Sequence, residues 1–139
     1  MRFFTKEWYT AAYGSMEKTQ SAINSYLNYC NTIQSIIPQS IFKALDLHDN
    51  VLQLLQFYKK ECIMVFDTSK ALSTVKELIF ENYTLLSADG LNTGAWCLYS
   101  EISIKKNAYE VGLLFQSFEE DHDVLHEFLI RAQNIKYKQ

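Results

Sequence analysis

The chain has 139 residues, of which 48% are hydrophobic and 21% are charged, and its net charge is −3; these values fit one folded domain. The acidic balance offers no basic surface for nucleic acid, and no apolar run approaches the ~18 residues that a membrane span needs. The three cysteines are widely spaced and form no CxxC pair, so we expect reduced thiols, no metal and no cofactor in a cytoplasmic protein.

The first 46 residues have the spacing of amphipathic helices. Thr5 is placed to cap the first helix, and the pair Gly14 and Ser15 is expected to kink or break it. Apolar positions recur at steps of three and four residues and predict one buried stripe, which consists of Trp8, Ala12, Met16, Thr19, Ile23, Tyr26, Cys30, Ile33 and Ile37.

Proline marks the end of this helical segment. Pro38 pushes the residue before it out of the helical conformation. A short helix is then expected from Ser40, as its N-cap, to about Leu45.

From residue 47 the hydrophobic period changes to two, which indicates strands. Charged or polar turns are expected at Lys59-Lys60, at Lys106-Asn107 and in the loop 119–123. Residues 124–132 also fit a helical stripe, and we favour a strand because the β-rich tract FLIRAQNIKY lies there. The sequence predicts a single α+β domain, 1–139, in which the helices of 1–46 pack on an antiparallel sheet of about six strands in 47–139.

Several short stretches resemble a family of small bacterial proteins that share a domain of unknown function. The chain starts with FTKEWY at residues 4–9, has Leu-His-Asp at 47–49 and the strand WCLYSE at 96–101, and continues with YEVGLLF at 109–115. The second half is also similar to small β-rich proteins of bacterial toxin–immunity neighbourhoods. The resemblance implies the predicted fold and a bacterial cytoplasmic setting, and it implies no particular activity.

The first candidate site is a polar seam where the helices give way to strands. His48 and Asp49 lie at this junction, and the resemblance places Glu101 at a recurring position. We expect a buried His48 that is held in one tautomer by a carboxylate, with Glu101 as the preferred partner.

The alternative is a metal-assisted hydrolase that uses His48, Glu101 and the His122–Glu127 region. His122 and His126 would share one face of a helix at the i, i+4 spacing of metal ligands. On a strand they would be about 13 Å apart at ~3.3 Å per residue, which is too far for one ion. The HExxH pattern is absent, so a solvated acidic turn is the favoured interpretation.

The remaining signal is a set of aromatic residues that the helical stripe does not bury. Tyr13, Tyr29 and Phe42 lie off the stripe, and amphipathic aromatics at a surface often mark a binding patch. No nucleophile motif such as GxSxG and no phosphate-binding loop is present. The sequence therefore favours a non-enzymatic, immunity-like or regulatory module that binds another protein.

Overall fold

The computed structural model describes residues 1–139 and shows three helices followed by six strands. The elements are α1 (Lys6–Ala12), α2 (Met16–Ile33), α3 (Gln39–Ala44), β1 (Val51–Phe57), β2 (Glu61–Asp67), β3 (Glu77–Ser87), β4 (Trp96–Lys105), β5 (Ala108–Glu119) and β6 (His122–Lys138). The predicted α+β class, with helices first and antiparallel strands second, is confirmed. None of the three helices is long and apolar enough to cross a membrane.

The first two helices form where the sequence predicts them. The Thr5 side chain accepts a hydrogen bond from the Trp8 N–H and caps α1. Gly14, at φ 77°, separates α1 from α2, and such a positive φ favours glycine. This confirms the predicted break. It also places Met16 outside the buried stripe, because the break turns this residue to solvent and leaves it 89% exposed.

The third helix differs from its prediction at its start. It begins at Gln39 directly after Pro38, and no side chain caps it. Ser40 therefore lies inside the helix and is not its N-cap. Pro38 itself is the N-cap residue: its ring fixes its own φ, at −57°, and its ψ of 143° is extended, so the helix begins at the next residue.

The six strands close into a barrel in the order β1-β2-β3-β6-β5-β4, and every neighbouring pair is antiparallel. The sequence predicts the strands but not this closure. The seam between β1 and β4 is short, because Val51 and Trp96 are the one register pair. The Cys97 N–H and the Leu52 N–H each donate a 2.8 Å hydrogen bond across this seam.

The connections between strands are tighter than the polar loop predicted at 119–123. The predicted turns at 59–60 and 106–107 are confirmed. The 119–123 stretch shrinks to Glu120 and Asp121, which both have positive φ, because strand pairing reaches the pair Glu119 and His122. Residues 124–132 are a strand, as favoured from the sequence.

The barrel interior and the helices share one hydrophobic core. Side chains such as Met64, Phe80, Phe115 and Phe128 point inward and are fully buried. The same cluster contains Ile33 from α2, Ile41 and Ala44 from α3, and the connecting residues Ile37 and Leu47. Burial of these apolar side chains is what holds the end of α2 and the short α3 against the sheet.

Candidate functional site

The predicted pair between His48 and Glu101 is wrong. The His48 side chain is 62% exposed, and its Nδ1 lies 2.6 Å from the Leu98 carbonyl oxygen. Its Nε2 lies 3.6 Å from the Asp49 carboxylate. The reason is the register shift in β4 between Cys97 and Tyr99, which turns the Leu98 carbonyl away from β5 and leaves it free for the imidazole.

Glu101 is buried and binds main chain instead. Its carboxylate accepts hydrogen bonds from the N–H groups of Arg2 at 2.6 Å, Phe3 at 2.9 Å and Phe4 at 2.9 Å. Bonds from N–H groups to an ionised carboxylate are about twice as strong as neutral ones. Glu101 therefore anchors residues 1–5, which we name the N-terminal arm, to the outer face of β4.

A second anchor lies where the arm enters α1. Glu127 accepts a hydrogen bond from the Lys6 N–H at 2.7 Å, and the Lys6 ammonium lies 2.8 Å from the Asp89 carboxylate. Asp89 in turn accepts from the Glu127 N–H at 2.8 Å. Burial opposes ionisation of Asp89, but the hydrogen bonds from Lys6 and Glu127 outweigh it and lower the pKa of this carboxyl.

The arm also requires space and aromatic contacts. A Cβ on Gly112 would lie 2.6 Å from Cγ of Met1 and 3.3 Å from Cγ of Glu101, so a larger residue there would displace the Met1 side chain from its present position on β5. The Phe4 ring stacks on Tyr99 with centroids 4.8 Å apart, and Trp8 meets the same tyrosine edge-on at 5.2 Å. Carboxylates, a glycine and an aromatic stack thus hold the FTKEWY stretch in place.

The structure reveals a serine–histidine pair that the sequence reasoning missed. Ser117 Oγ lies 2.7 Å from Nε2 of His126, and Nδ1 of His126 lies 2.9 Å from the Asp89 carbonyl oxygen. Both side chains are buried inside the barrel, so solvent and substrate do not reach the hydroxyl. The pair could have been predicted from the tight turn at 120–121, because such a turn places Ser117 diagonally across the hairpin from His126.

The residues of the metal-site alternative do not converge. His122 lies at the exposed end of β6, while Glu101 and Glu127 are occupied by the arm. No group of three or more histidine, cysteine, aspartate or glutamate side chains is arranged to hold a metal ion. The helical spacing proposed for His122 and His126 fails because this segment is a strand.

The three aromatics predicted to form a binding surface have different environments. Tyr13 is 81% exposed. Tyr29 packs against Phe3 with ring centroids 5.7 Å apart, and the Arg2 guanidinium lies 5.1 Å from its ring. Phe42 is half-buried against the core. Tyr29 and Phe42 therefore support the fold, and Tyr13 alone is freely accessible.

Tyr13 belongs to a larger surface of exposed and half-buried side chains, which we name the aromatic–acidic face. Its members are Tyr9, Tyr13, Phe118, Glu119, Glu120, Asp121 and Asp123. The rings of Tyr9 and Tyr13 are 6.3 Å apart, and Phe118 lies directly opposite Asp123 in the β5–β6 register. Helix α1 contacts β6, and burial raises the pKa of Tyr9, to which the neighbouring Tyr99, Tyr13 and Asp123 add smaller contributions.

The face combines an exposed apolar ring with unpaired carboxylates. Phe118 is 63% exposed at the end of a strand, and it is one of several exposed large apolar side chains in this protein. None of the four carboxylates at this turn lies within ion-pair distance of a lysine or arginine, whereas Glu77, Glu81 and Glu110 on the barrel wall are all paired. Four unpaired carboxylates therefore lie together at the turn that carries the exposed Phe118 ring.

Comparison with known proteins identifies the family. The family described as "Protein of unknown function (DUF4085)" matches residues 4–125, from the arm to the first residues of β6. No curated protein and no solved structure matches the chain. The matched range contains Glu101, Asp89 and most of the chain, and it ends two residues before Glu127. The protein therefore belongs to the DUF4085 family.

Proposed function

We propose that the protein is a non-enzymatic module that binds another protein through the aromatic–acidic face. Exposed aromatic rings are the side chains that most often carry binding energy in protein interfaces. The unpaired carboxylates around them select a partner with a basic surface and attract it over several ångströms. Lysine and arginine side chains of the partner would contact both the carboxylates and the faces of Tyr9 and Tyr13.

An immunity-like or regulatory role fits this chemistry. Proteins that act on nucleic acids carry basic surfaces that neutralise phosphates. A compact acidic protein can cover such a surface because its carboxylates take the place of the phosphates. The resemblance of the second half to proteins of toxin–immunity neighbourhoods supports the same reading by analogy of fold.

The setting that we propose is the bacterial cytoplasm. The resemblance of the FTKEWY stretch to bacterial proteins supports it. Cys30, Cys62 and Cys97 are free thiols, which is typical of a reducing compartment.

The test is direct binding of the purified protein to the purified products of neighbouring genes, measured by calorimetry. We expect one basic protein to bind. Phe118→Ala and Tyr13→Ala should each weaken binding by about 2 kcal/mol if these rings are anchors. Raising the salt concentration should slow association, because it screens the carboxylates.

The matched control is Tyr58→Ala, which removes another exposed aromatic ring from the β1–β2 turn. It should leave the affinity unchanged. An equal loss on Tyr58→Ala would show that binding does not depend on the aromatic–acidic face. Binding by none of the basic neighbours would contradict the proposed function.

A further inference from the structure

The Asp49 N–H and the Asn50 carbonyl bond to Cys97, and beyond that residue the far edge of β4 has no neighbouring strand. This strand pairs with β5 over its whole length, but with β1 only at Trp96. The two-residue turn at 106–107 makes Lys105 and Ala108 a hydrogen-bonded pair. By alternation, the peptide groups of Ser100 and Ile102 point away from β5, towards the open side.

Side chains cover part of this open edge. Nδ1 of His48 lies within hydrogen-bond distance of the Leu98 carbonyl oxygen. The Tyr26 hydroxyl accepts a hydrogen bond from the Ile102 N–H at 3.0 Å. Ser100 lies between these two points. Its Oγ donates to the Leu45 carbonyl. On the side away from β5, the main-chain N–H and C=O of Ser100 have no hydrogen-bond partner.

Two cavities meet at Ser100. One, of about 340 Å³, lies between α2 and α3 and is lined by Cys30 and Phe42 among others. The other, of about 390 Å³, is lined by Ile23 and Leu98 among others. Both include Tyr26, Leu45, Asp46 and Ser100. Both are open grooves, and hydrophobic residues make up five of the nine lining residues in the first and seven of the ten in the second.

We propose that this cleft, which we name the Ser100 cleft, binds an extended segment of a partner polypeptide as a short added strand. A free N–H and C=O on one residue are complementary to the main chain of one facing residue, which exchanges both hydrogen bonds with it. The flanking apolar side chains of the segment fill the two cavities. Tyr26 limits the pairing to a few residues because it occupies the edge at Ile102.

The charge at the rim defines the segment further. Asp46 lines both cavities, is exposed, and has no cationic partner within ion-pair distance. The segment therefore carries a lysine or arginine next to its apolar residues. This site shares no residue with the aromatic–acidic face, so the inference goes beyond the proposed function and does not depend on it.

The probe is a hexapeptide with blocked ends and the sequence Thr-Val-Lys-Val-Leu-Thr, titrated into isotope-labelled protein and followed by NMR. We expect the amide signals of Ser100, Leu45 and Cys30 to move, and hydrogen exchange of the Ser100 amide to slow. The same peptide with N-methylated amides on its pairing edge should bind at least about tenfold more weakly, because a methylated nitrogen has no N–H to donate to the Ser100 carbonyl.

Two variants complete the test. Ser100→Pro removes the N–H from an open edge, where proline is tolerated. It should lower the affinity for the hexapeptide at least about tenfold, a change of about 1.4 kcal/mol in binding free energy. Asp46→Asn should lower the affinity for the hexapeptide a few fold. It should not change the affinity for the analogue that has norleucine in place of lysine. If Ser100→Pro fails to fold, the N-methylated peptide on the natural protein decides.

Three results would overturn the proposal: no shift at Ser100 with millimolar hexapeptide, equal binding of the N-methylated peptide, or unchanged binding to folded Ser100→Pro. None of these results bears on the aromatic–acidic face, whose signals lie at residues 9–13 and 118–123.

Discussion

At the scale of single residues, Glu101 shows what a buried carboxylate does when no cation is near. It accepts three main-chain N–H groups of the arm, one at Oε1 and two at Oε2, so both carboxylate oxygens have hydrogen-bond partners. Family resemblance singled out this residue, but its partner could not be predicted. A main-chain N–H is the same for every residue, so the sequence contains no sign of a contact that spans nearly a hundred positions.

Glu101→Gln should destabilise the protein by about 2–3 kcal/mol, because the bonds to the arm lose their charge assistance. The measurement is urea unfolding at neutral pH, with near-ultraviolet circular dichroism reporting the stack of Phe4 on Tyr99.

Glu119→Gln is the matched control, since this carboxylate lies at the exposed turn and forms no ion pair. It should change the unfolding free energy by less than about 0.5 kcal/mol. Equal effects of the two substitutions would show that the arm is not held by Glu101.

At the scale of elements, local patterns predicted the helices, the six strands and most turns, because these depend on neighbours in the sequence. The β-rich tract FLIRAQNIKY led to the correct prediction of a strand at residues 124–132, even though a helical stripe also fits them. The exposure of Met16 and the start of α3 were predicted wrongly. In both cases the backbone conformation of one residue decides the outcome: Gly14 turns the chain between α1 and α2, and Pro38 precedes the first residue of α3. A periodic pattern of apolar residues contains no information on either.

The β4–β5 turn can be improved. Lys106 and Asn107 both have positive φ, at 52° and 60°, and the Asn-Gly pair suits such a turn best. Replacing Lys106-Asn107 with Asn-Gly should stabilise the protein by about 0.5–2 kcal/mol, seen as a higher melting temperature.

The same replacement at Lys59-Lys60 provides the comparison, because neither of these lysines has a positive φ. It should give no gain. A similar rise in melting temperature at both turns would mean that the effect comes from removing lysines and not from backbone conformation.

At the scale of the whole molecule, closure of the sheet is the feature that the sequence did not reveal. Alternating strands look alike in an open sheet and in a barrel, and closure depends on β3 pairing with β6 and on the short seam at Val51. The aromatic–acidic face was likewise only partly predicted. Tyr13 was identified, but Phe118 and Asp123 join it only because α1 packs across the start of β6.

The ion pair between Lys6 of α1 and Asp89 makes the stability of the protein depend on pH in the acidic range. The pKa of Asp89 is lowered in the folded state, so its contribution is present above about pH 3.9, the ordinary value for an unfolded aspartate, and is lost as the pH falls through the lowered value. Lys6→Met should remove much of this contribution, and the decrease in melting temperature between pH 5 and acid should become smaller.

Lys60→Met, at a lysine without an ion pair, should leave the acid dependence as it is in the natural protein. An unchanged pH profile for Lys6→Met would show that Asp89 ionises without help from α1. Glu110 keeps its own lowered pKa, because Arg131 and Lys105 remain beside it.

The anchoring of the arm also fixes when it can dock during synthesis on the ribosome. Arg2, Phe3 and Phe4 bind a residue 97 to 99 positions later, and Lys6 binds one 121 positions later. At roughly 5–20 residues per second, these acceptors emerge about 5–25 s after the arm itself. The arm is thus made well before its acceptors and is among the last segments to dock, and throughout that interval the Phe4 ring lacks its stacking partner Tyr99.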